Sequence, residues 1–126
     1  MLIGELAALA GTSTRALRYY EQRGLVRARR CANGYRVYDE AELQVVRKIR
    51  ALLDTGFDLA DIRPFVTCLR DGNDSGDVCP DSVAVLRRKV GEVEDALARL
   101  NATRDQLHLQ LTDAMNTRRP PACEFR

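Results

Sequence analysis

The sequence contains no tryptophan and a single histidine, His108, among its 126 residues. A Ser/His/Asp or Cys/His catalytic arrangement needs a histidine beside a nucleophile. No recognisable nucleophile motif accompanies His108. The composition therefore argues against an enzyme.

Long hydrophobic runs are also missing. No stretch approaches the roughly 18 consecutive apolar residues that a membrane-spanning helix needs, and the apolar N-terminal segment is interrupted by Glu5 without a basic leader before it. We therefore expect a cytoplasmic protein with no membrane partner. In that reducing compartment the four cysteines are expected to be thiols, metal ligands or redox sensors rather than structural disulfides.

Acidic residues are almost absent from one basic segment. Between Arg15 and Arg36 the chain has seven arginines and a single acid, Glu21, interleaved with three tyrosines. A merely solvated surface mixes both signs of charge, so this segment indicates a surface that faces a polyanion. The exclusive use of arginine favours recognition of phosphates and guanine edges.

Two short helices are predicted around the start of this segment. Residues 2–10 have apolar side chains at helical spacing and stop at Gly11. A second helix, capped by one of the two hydroxyl residues after that glycine, runs to about Arg23. A short helix, a glycine turn and a second helix are typical of a helix-turn-helix, whose second helix enters a DNA groove.

The periodicity changes after the second helix. Asn33-Gly34 is a strong hairpin signal, because a type I′ turn requires positive φ at both central residues. Residues 27–38 are therefore predicted to form a two-stranded basic wing. Two further helices follow, one ending near Gly56 and one containing Pro64, which removes a backbone donor and weakens the expectation of a straight helix.

A long amphipathic helix is predicted for the last third of the chain. Residues 71–80 form an acidic linker loop, residues 81–116 are predicted as one helix of about 54 Å, and residues 117–126 as an irregular tail. Apolar side chains recur at alternating steps of three and four, the a/d pattern of a coiled coil. A narrow apolar stripe of this length must be covered by another surface. Pairing with a second copy of the chain is favoured over folding back on the small N-terminal domain. The predicted dimerisation residues are Val83, Leu86, Val90, Val93, Leu97, Leu100, Arg104, Leu107 and Leu111.

Three segments resemble the MerR family of bacterial transcription regulators: IGELAALAGTSTRALRYYEQRGLV (3–26), RCANGYRVYDEAEL (30–43) and TGFDLADI (55–62). The family hallmarks are RYYE in the recognition helix, NGYRxY in the wing and a long dimerisation helix. The chain departs from the family at residues 27–29, where prolines are common. The resemblance implies a mainly α fold, with a winged helix-turn-helix over residues 1–70 followed by an antiparallel coiled coil.

The resemblance also implies a function. Such proteins are homodimers that bind double-stranded, pseudo-palindromic promoter DNA and distort an overlong spacer so that RNA polymerase engages both of its contact elements. Thr14, Arg15 and Tyr19 lie on the leading or outward side of the recognition helix. The positions that match DNA-contacting residues of the family are Arg18, Tyr20, Arg30, Tyr35, Arg36 and Tyr38. For Tyr20 and Tyr38 a packing role is an equal alternative.

The cysteines depart from the metal-sensing members of the family. Those members place one cysteine before the dimerisation helix and others in a loop after it, and Cys79 and Cys123 take such positions. The resemblance implies that they meet across an antiparallel dimer, where two thiolates hold a soft metal ion or react with an oxidant or electrophile. A cysteine that these sensors carry near the helix end is absent from residues 114–116. A disulfide between Cys68 and Cys79 is an alternative, although a buried, inert Cys68 is preferred.

Two other functions remain open from the sequence. One is an effector-independent repressor or developmental regulator, with no cofactor. The other is a coiled-coil adaptor without specific DNA binding. An adaptor has no need of guanidinium groups on both helix and wing, such as Arg18 and Arg36, so the DNA-binding function is preferred.

Overall fold

A computed structural model of the protein describes residues 1–117. Along this part of the chain the elements are α1 (Ile3–Ala10), α2 (Thr14–Gln22), β1 (Arg29–Arg30), β2 (Arg36–Val37), α3 (Glu40–Thr55), α4 (Leu59–Arg70) and α5 (Pro80–Thr117). The mainly helical class and the order of elements are confirmed. None of the helices described is long and apolar enough to cross a bilayer.

The chain divides into two compact units, and the division falls inside α5. The first unit, Met1–Leu86, is called the head below, and the second begins at Arg87. Val85 and Leu86 pack against the core of the head, and Val83 is partly buried. Leu86, which the heptad pattern assigns to dimerisation, is therefore already partly covered by its own chain.

Side-chain caps set where the helices begin. The Oγ of Ser13 accepts a hydrogen bond from the N–H of Ala16 at 3.0 Å and starts α2. Asp39 and Asp58 cap α3 and α4 in the same way, as N-terminal donors without helical partners require. Gly11 ends α1 with φ 69°, a left-handed conformation that favours glycine.

The core of the head draws on one face of each of its helices. Leu6, Leu17, Ile49 and Phe65, from α1, α2, α3 and α4, are fully buried. Because apolar burial is the main favourable term in folding, the side of α2 that carries Leu17 is held in this core. The opposite side of α2 therefore faces outward. The fourth helix runs unbroken through Pro64.

A buried polar cluster, which the sequence analysis missed, connects α3, α4 and the base of the wing. The carboxylate of Glu42 accepts hydrogen bonds from the guanidinium of Arg70 at 2.8 and 2.9 Å and from the N–H of Arg27 at 2.6 Å. Arg70 also donates to the carbonyl oxygen of Leu25 at 2.8 Å. Hydrogen bonding to Glu42 raises the pKa of Arg70, so the guanidinium stays protonated.

The wing is the predicted hairpin, but its predicted type I′ turn is wrong. The two strands pair antiparallel. The N–H of Gly34 donates to the carbonyl oxygen of Cys31 at 2.9 Å, and the N–H of Cys31 donates to the carbonyl of Tyr35 at 2.8 Å. The turn therefore closes one residue earlier than Asn33-Gly34 predicts, and Gly34 supplies the positive φ, 86°, at its end.

Candidate nucleic-acid interface

The second helix presents opposite chemistries on its two faces. Leu17 and Tyr20 are buried, whereas the guanidinium-bearing Arg15 and Arg18 are exposed and Tyr19 is 47% exposed. The N-terminal residue of the helix, Thr14, is half-buried. Two cations and an aromatic ring therefore point away from the core, in the composition that recognition helices use in the major groove.

The wing adds exposed basic side chains to the same unit. Arg30, Tyr35 and Arg36 are exposed, and the Nη1 of Arg30 donates to the carbonyl oxygen of Gly34 at 3.3 Å. The guanidinium groups suit phosphate oxygens, which accept charge-assisted hydrogen bonds.

Glu21 lies on α2, the predicted recognition helix, and connects this helix to the wing. One carboxylate oxygen accepts a hydrogen bond from the Nη1 of Arg36 at 2.6 Å, and the other accepts from the hydroxyl of Tyr38 at 2.8 Å. Sequence reasoning missed this role, because the partners are 15 and 17 residues away. The available signal was that Glu21 is the lone acid of the basic segment. Arg36, predicted to contact DNA, is thus held in place from inside the protein.

Two predicted contact residues belong to the core. Tyr38 is 2% exposed and Tyr20 is 5% exposed, so both rings have the packing role considered as the alternative. The backbone N–H of Tyr38 also donates to the carbonyl oxygen of Met1 at 2.7 Å. Tyr38 therefore joins the wing to both the N-terminal segment and the recognition helix, and a DNA contact through either ring stays a prediction.

The hydrogen bond to Glu21 makes a testable prediction for Tyr38. Burial, the hydrogen bond and the nearby carboxylate raise the pKa of Tyr38 from 10.0 to about 12. Because the folded pKa exceeds the unfolded one, the stability that this tyrosine contributes is complete below pH 10 and is lost as the pH rises toward 12. An ultraviolet titration of the native protein is expected to show a tyrosine ionisation near pH 12.

A matched pair of variants assigns that ionisation. Tyr38→Phe is expected to remove the late step, whereas Tyr35→Phe, which changes an exposed ring on the wing, is expected to retain it. A late step that persists in Tyr38→Phe would contradict the assignment.

Two of the three cysteines in the head are bonded to each other. Cys68 and Cys79 are joined in a disulfide with their Cα atoms 5.8 Å apart, so the preferred interpretation of Cys68 as an inert thiol is wrong and its alternative is correct. Cys31 on the wing is free and exposed. Cys123 lies outside the described residues. Within residues 1–117 no three histidine, cysteine or acidic side chains gather as a metal site.

Family models match most of the chain. Residues 1–67 match the model described as MerR HTH family regulatory protein, and residues 41–109 match the model described as MerR, DNA binding. The chain belongs to the MerR family. The first match covers α1, α2, the wing, α3 and most of α4.

Two curated relatives place this MerR-family chain among bacterial regulators. The nodulation protein NolA of Bradyrhizobium sp. (strain NC92) is 38% identical over 112 residues, which are 88% of this chain and 43% of NolA. The HTH-type transcriptional regulator HmrR of Sinorhizobium medicae (strain WSM419) is 33% identical over 113 residues, which are 86% of this chain and 77% of HmrR. The chain thus spans less than half the length of NolA.

Two solved structures share the fold of this MerR-family chain. PbrR691 from Ralstonia metallidurans CH34, a transcription regulator in complex with lead(II), has a TM-score of 0.68 and 29% identity, with 98% of this chain and 94% of that chain covered. HiNmlR, a MerR-family regulator lacking the sensor domain and bound to promoter DNA, has a TM-score of 0.57 and 26% identity, with 89% and 83% covered.

Proposed function

We propose that this chain is a homodimeric, sequence-specific regulator of transcription that binds promoter DNA. The observation that carries the proposal is the joining of two basic elements in one head, α2 with Arg15 and Arg18 and the wing with Arg30 and Arg36. Glu21 holds the two elements together through side-chain hydrogen bonds. The promoter-bound structure of the relative HiNmlR supports the choice of DNA as the polyanion.

Dimerisation is proposed through the second unit. Along α5 the a/d residues beyond the head are each more than half exposed: Val90, Val93, Leu97, Leu100, Leu107 and Leu111. An apolar stripe of this kind is typical of a helix that pairs with another helix. Arg104 interrupts the stripe and contacts Asp105 at 3.0 Å within its own chain.

The proposed mechanism is indirect readout of the promoter. Each head of the dimer is expected to insert α2 into a major groove and to set its wing on neighbouring phosphates, so that two half-sites are bound at a separation fixed by the protein. DNA whose half-sites stand at another separation must bend or untwist to be bound, and that deformation depends on sequence. Distortion of the promoter spacer would then bring the two DNA elements that RNA polymerase contacts into its reach.

An effector site at Cys79 and Cys123 remains a proposal, and the described residues do not form a metal site there. The sulfur of Cys79 is bonded to Cys68, so a soft metal ion or an electrophile can engage it only after that bond is reduced. The lead(II) complex of PbrR691 supports metal sensing as one option. The disulfide favours a second option, a regulator that acts without a small-molecule effector while the bond is intact.

The DNA-binding proposal predicts a loss of affinity in Arg18→Ala. If Arg18 reads a base edge, the substitution is expected to cost about 1–3 kcal/mol for a two-fold symmetric duplex from the protein's own promoter. Affinity should also fall steeply with salt, because several phosphates are neutralised. Fluorescence anisotropy over a salt series measures both effects.

A surface arginine of the second unit provides the control. Arg99 is exposed on α5, and Arg99→Ala makes the same change of charge outside the head, with little expected effect. Equal affinity for the promoter duplex and a scrambled duplex, or binding that does not respond to salt, would refute sequence-specific recognition.

A further inference from the structure

The connection between α4 and α5 is closed by a covalent bond. Cys68 lies in the last turns of α4 and Cys79 immediately precedes α5, so their disulfide joins the ends of an acidic loop, residues 71–78. The side-chain amide of Asn73 donates to the carbonyl oxygen of Cys68 at 3.0 Å and lies 3.4 Å from the Sγ of Cys79. The loop is therefore folded over the two sulfurs.

The same loop is packed against α3 and α4 by contacts that do not involve the disulfide. Gly76 is buried, and a Cβ there would lie 2.7 Å from the backbone oxygen of Phe65. The Nζ of Lys48 on α3 lies 2.6 Å from the Oδ1 of Asp77. These contacts hold the loop in place without the covalent bond. Reduction of the disulfide is therefore expected to loosen the connection between α4 and α5 without unfolding the head.

The two cysteines differ in their exposure to solvent. Cys68 is fully buried, whereas Cys79 is partly exposed. The carbonyl oxygen of Cys79 accepts the N–H of Val83 at 3.0 Å, which places Cys79 at the N-cap of a 38-residue helix. A helix N-terminus favours the thiolate, the nucleophilic form of cysteine. Cys79 is therefore suited to react first and Cys68 to resolve the product.

We propose that Cys68 and Cys79 form a thiol–disulfide switch that responds to hydroperoxides. The thiolate of Cys79 attacks the terminal oxygen of the hydroperoxide and the O–O bond breaks, which leaves a sulfenic acid on Cys79. The leaving oxygen takes up the proton that the Cys79 thiol released and departs as an alcohol, or as water when the oxidant is hydrogen peroxide. The thiol of Cys68 then attacks the sulfenic sulfur, the S–O bond breaks, and water leaves with the proton of Cys68. The two cysteines together lose two electrons and the peroxide gains two.

The switch rests on the proposed function, because its output is DNA binding by the dimer. In the disulfide state Cys79, the residue immediately before α5, is bonded to α4, a few residues ahead of Val85 and Leu86, which pack against the core of the head. Since α5 also carries the proposed dimer stripe, a change at the start of this helix is proposed to alter DNA binding by the dimer. The two redox states are therefore expected to differ in operator affinity by about fivefold or more, the usual lower range for coupled sites.

The first experiment identifies the bond. The full chain is reduced with excess dithiothreitol, freed of reductant, treated with hydrogen peroxide, alkylated and mapped by mass spectrometry without reduction. We expect a peptide linking Cys68 to Cys79, with Cys31 still open to alkylation. Cys31→Ser is the matched control and should retain the link. A link from Cys79 to Cys123, or no link at all, would overturn the assignment.

The second experiment measures the output. Anisotropy with the promoter duplex compares reduced and oxidised wild type, and Cys79→Ala is compared after the same two treatments. We expect the wild-type states to differ and the variant states to be equal. Specific binding of equal strength in both wild-type states would overturn the switch and leave the regulator function intact. Absence of specific binding in both states would instead refute the proposed function, whatever the peptide map shows.

Discussion

Leu97→Asp is expected to dissociate the dimer. Leu97 lies midway along α5 and is 53% exposed in the isolated chain, so pairing with a second copy is what would bury it. An aspartate there leaves an unpaired charge in an apolar interface in each protomer, which costs on the order of 3–5 kcal/mol. Sedimentation over a range of concentrations should show the dissociation constant rising by about a hundredfold to several thousandfold.

The same helix offers a matched control for Leu97→Asp. Leu109 is also largely exposed, but it lies off the a/d stripe, so Leu109→Asp should leave the dimer essentially unchanged. Arg104→Leu removes the polar interruption and is expected to tighten association while relaxing its register. A stable monomer for the unmodified chain, or equal effects of the two aspartates, would contradict the coiled-coil proposal.

Arg70→Ala is expected to destabilise the head by about 3–5 kcal/mol. The substitution leaves the carboxylate of Glu42, 5% exposed, without its charged partner, and it removes the donor to the Leu25 carbonyl. Loss of one member of a buried pair costs far more than loss of an exposed pair, because the remaining charge stays desolvated. Urea unfolding of the full chain, followed by circular dichroism, gives the change in the free energy of unfolding.

An exposed ion pair in the same head provides the comparison. Arg29 and Asp39 lie 3.8 Å apart with side chains 83% and 50% exposed, so Arg29→Ala should change the free energy of unfolding by less than about 1 kcal/mol. Replacing Arg70 and Glu42 together by apolar residues should recover much of the loss. If Arg70→Ala and Arg29→Ala have equal effects, the buried cluster is not a major source of stability.

The sequence was sufficient for features that depend on local periodicity. The starts of α2, α3 and α4 follow from side chains that cap helices, and the outward position of Arg15 and Arg18 follows from helical spacing. The a/d pattern likewise predicted α5 almost to its ends. These features are local, since each depends on residues within a few positions of one another.

The features that the sequence did not predict depend on residues far apart in the chain. Glu42 and Arg70 are separated by 28 positions, and Glu21 finds its partners on another element, so periodicity carries no information about either pairing. The Cys68–Cys79 disulfide depends on how the loop containing Gly76 packs against α4. The redox state of the expected compartment carries no information about that proximity.

Leu86 illustrates a different limit of sequence patterns. A heptad identifies which side of a helix is apolar, but it does not say which surface covers each residue. The apolar stripe on α5 includes Leu86, which packs against the core of the head, and continues with Val90 and later residues, which are exposed. A single heptad pattern therefore contains residues in two different environments. The DNA-contact predictions and the role of Cys123 stay predictions.

The hydrogen bonds of Glu21 restrict how this protein's DNA preference can diverge over evolution. Both carboxylate oxygens are engaged, one by Arg36 and one by Tyr38, so the wing and α2 are expected to act as a single unit in the proposed recognition of DNA. A substitution at residue 36 that retargets the wing also removes a partner from the recognition helix. New operator specificities should therefore arise through coordinated replacements at residues 21, 36 and 38, whereas Arg15 and Arg18 are free to vary one at a time.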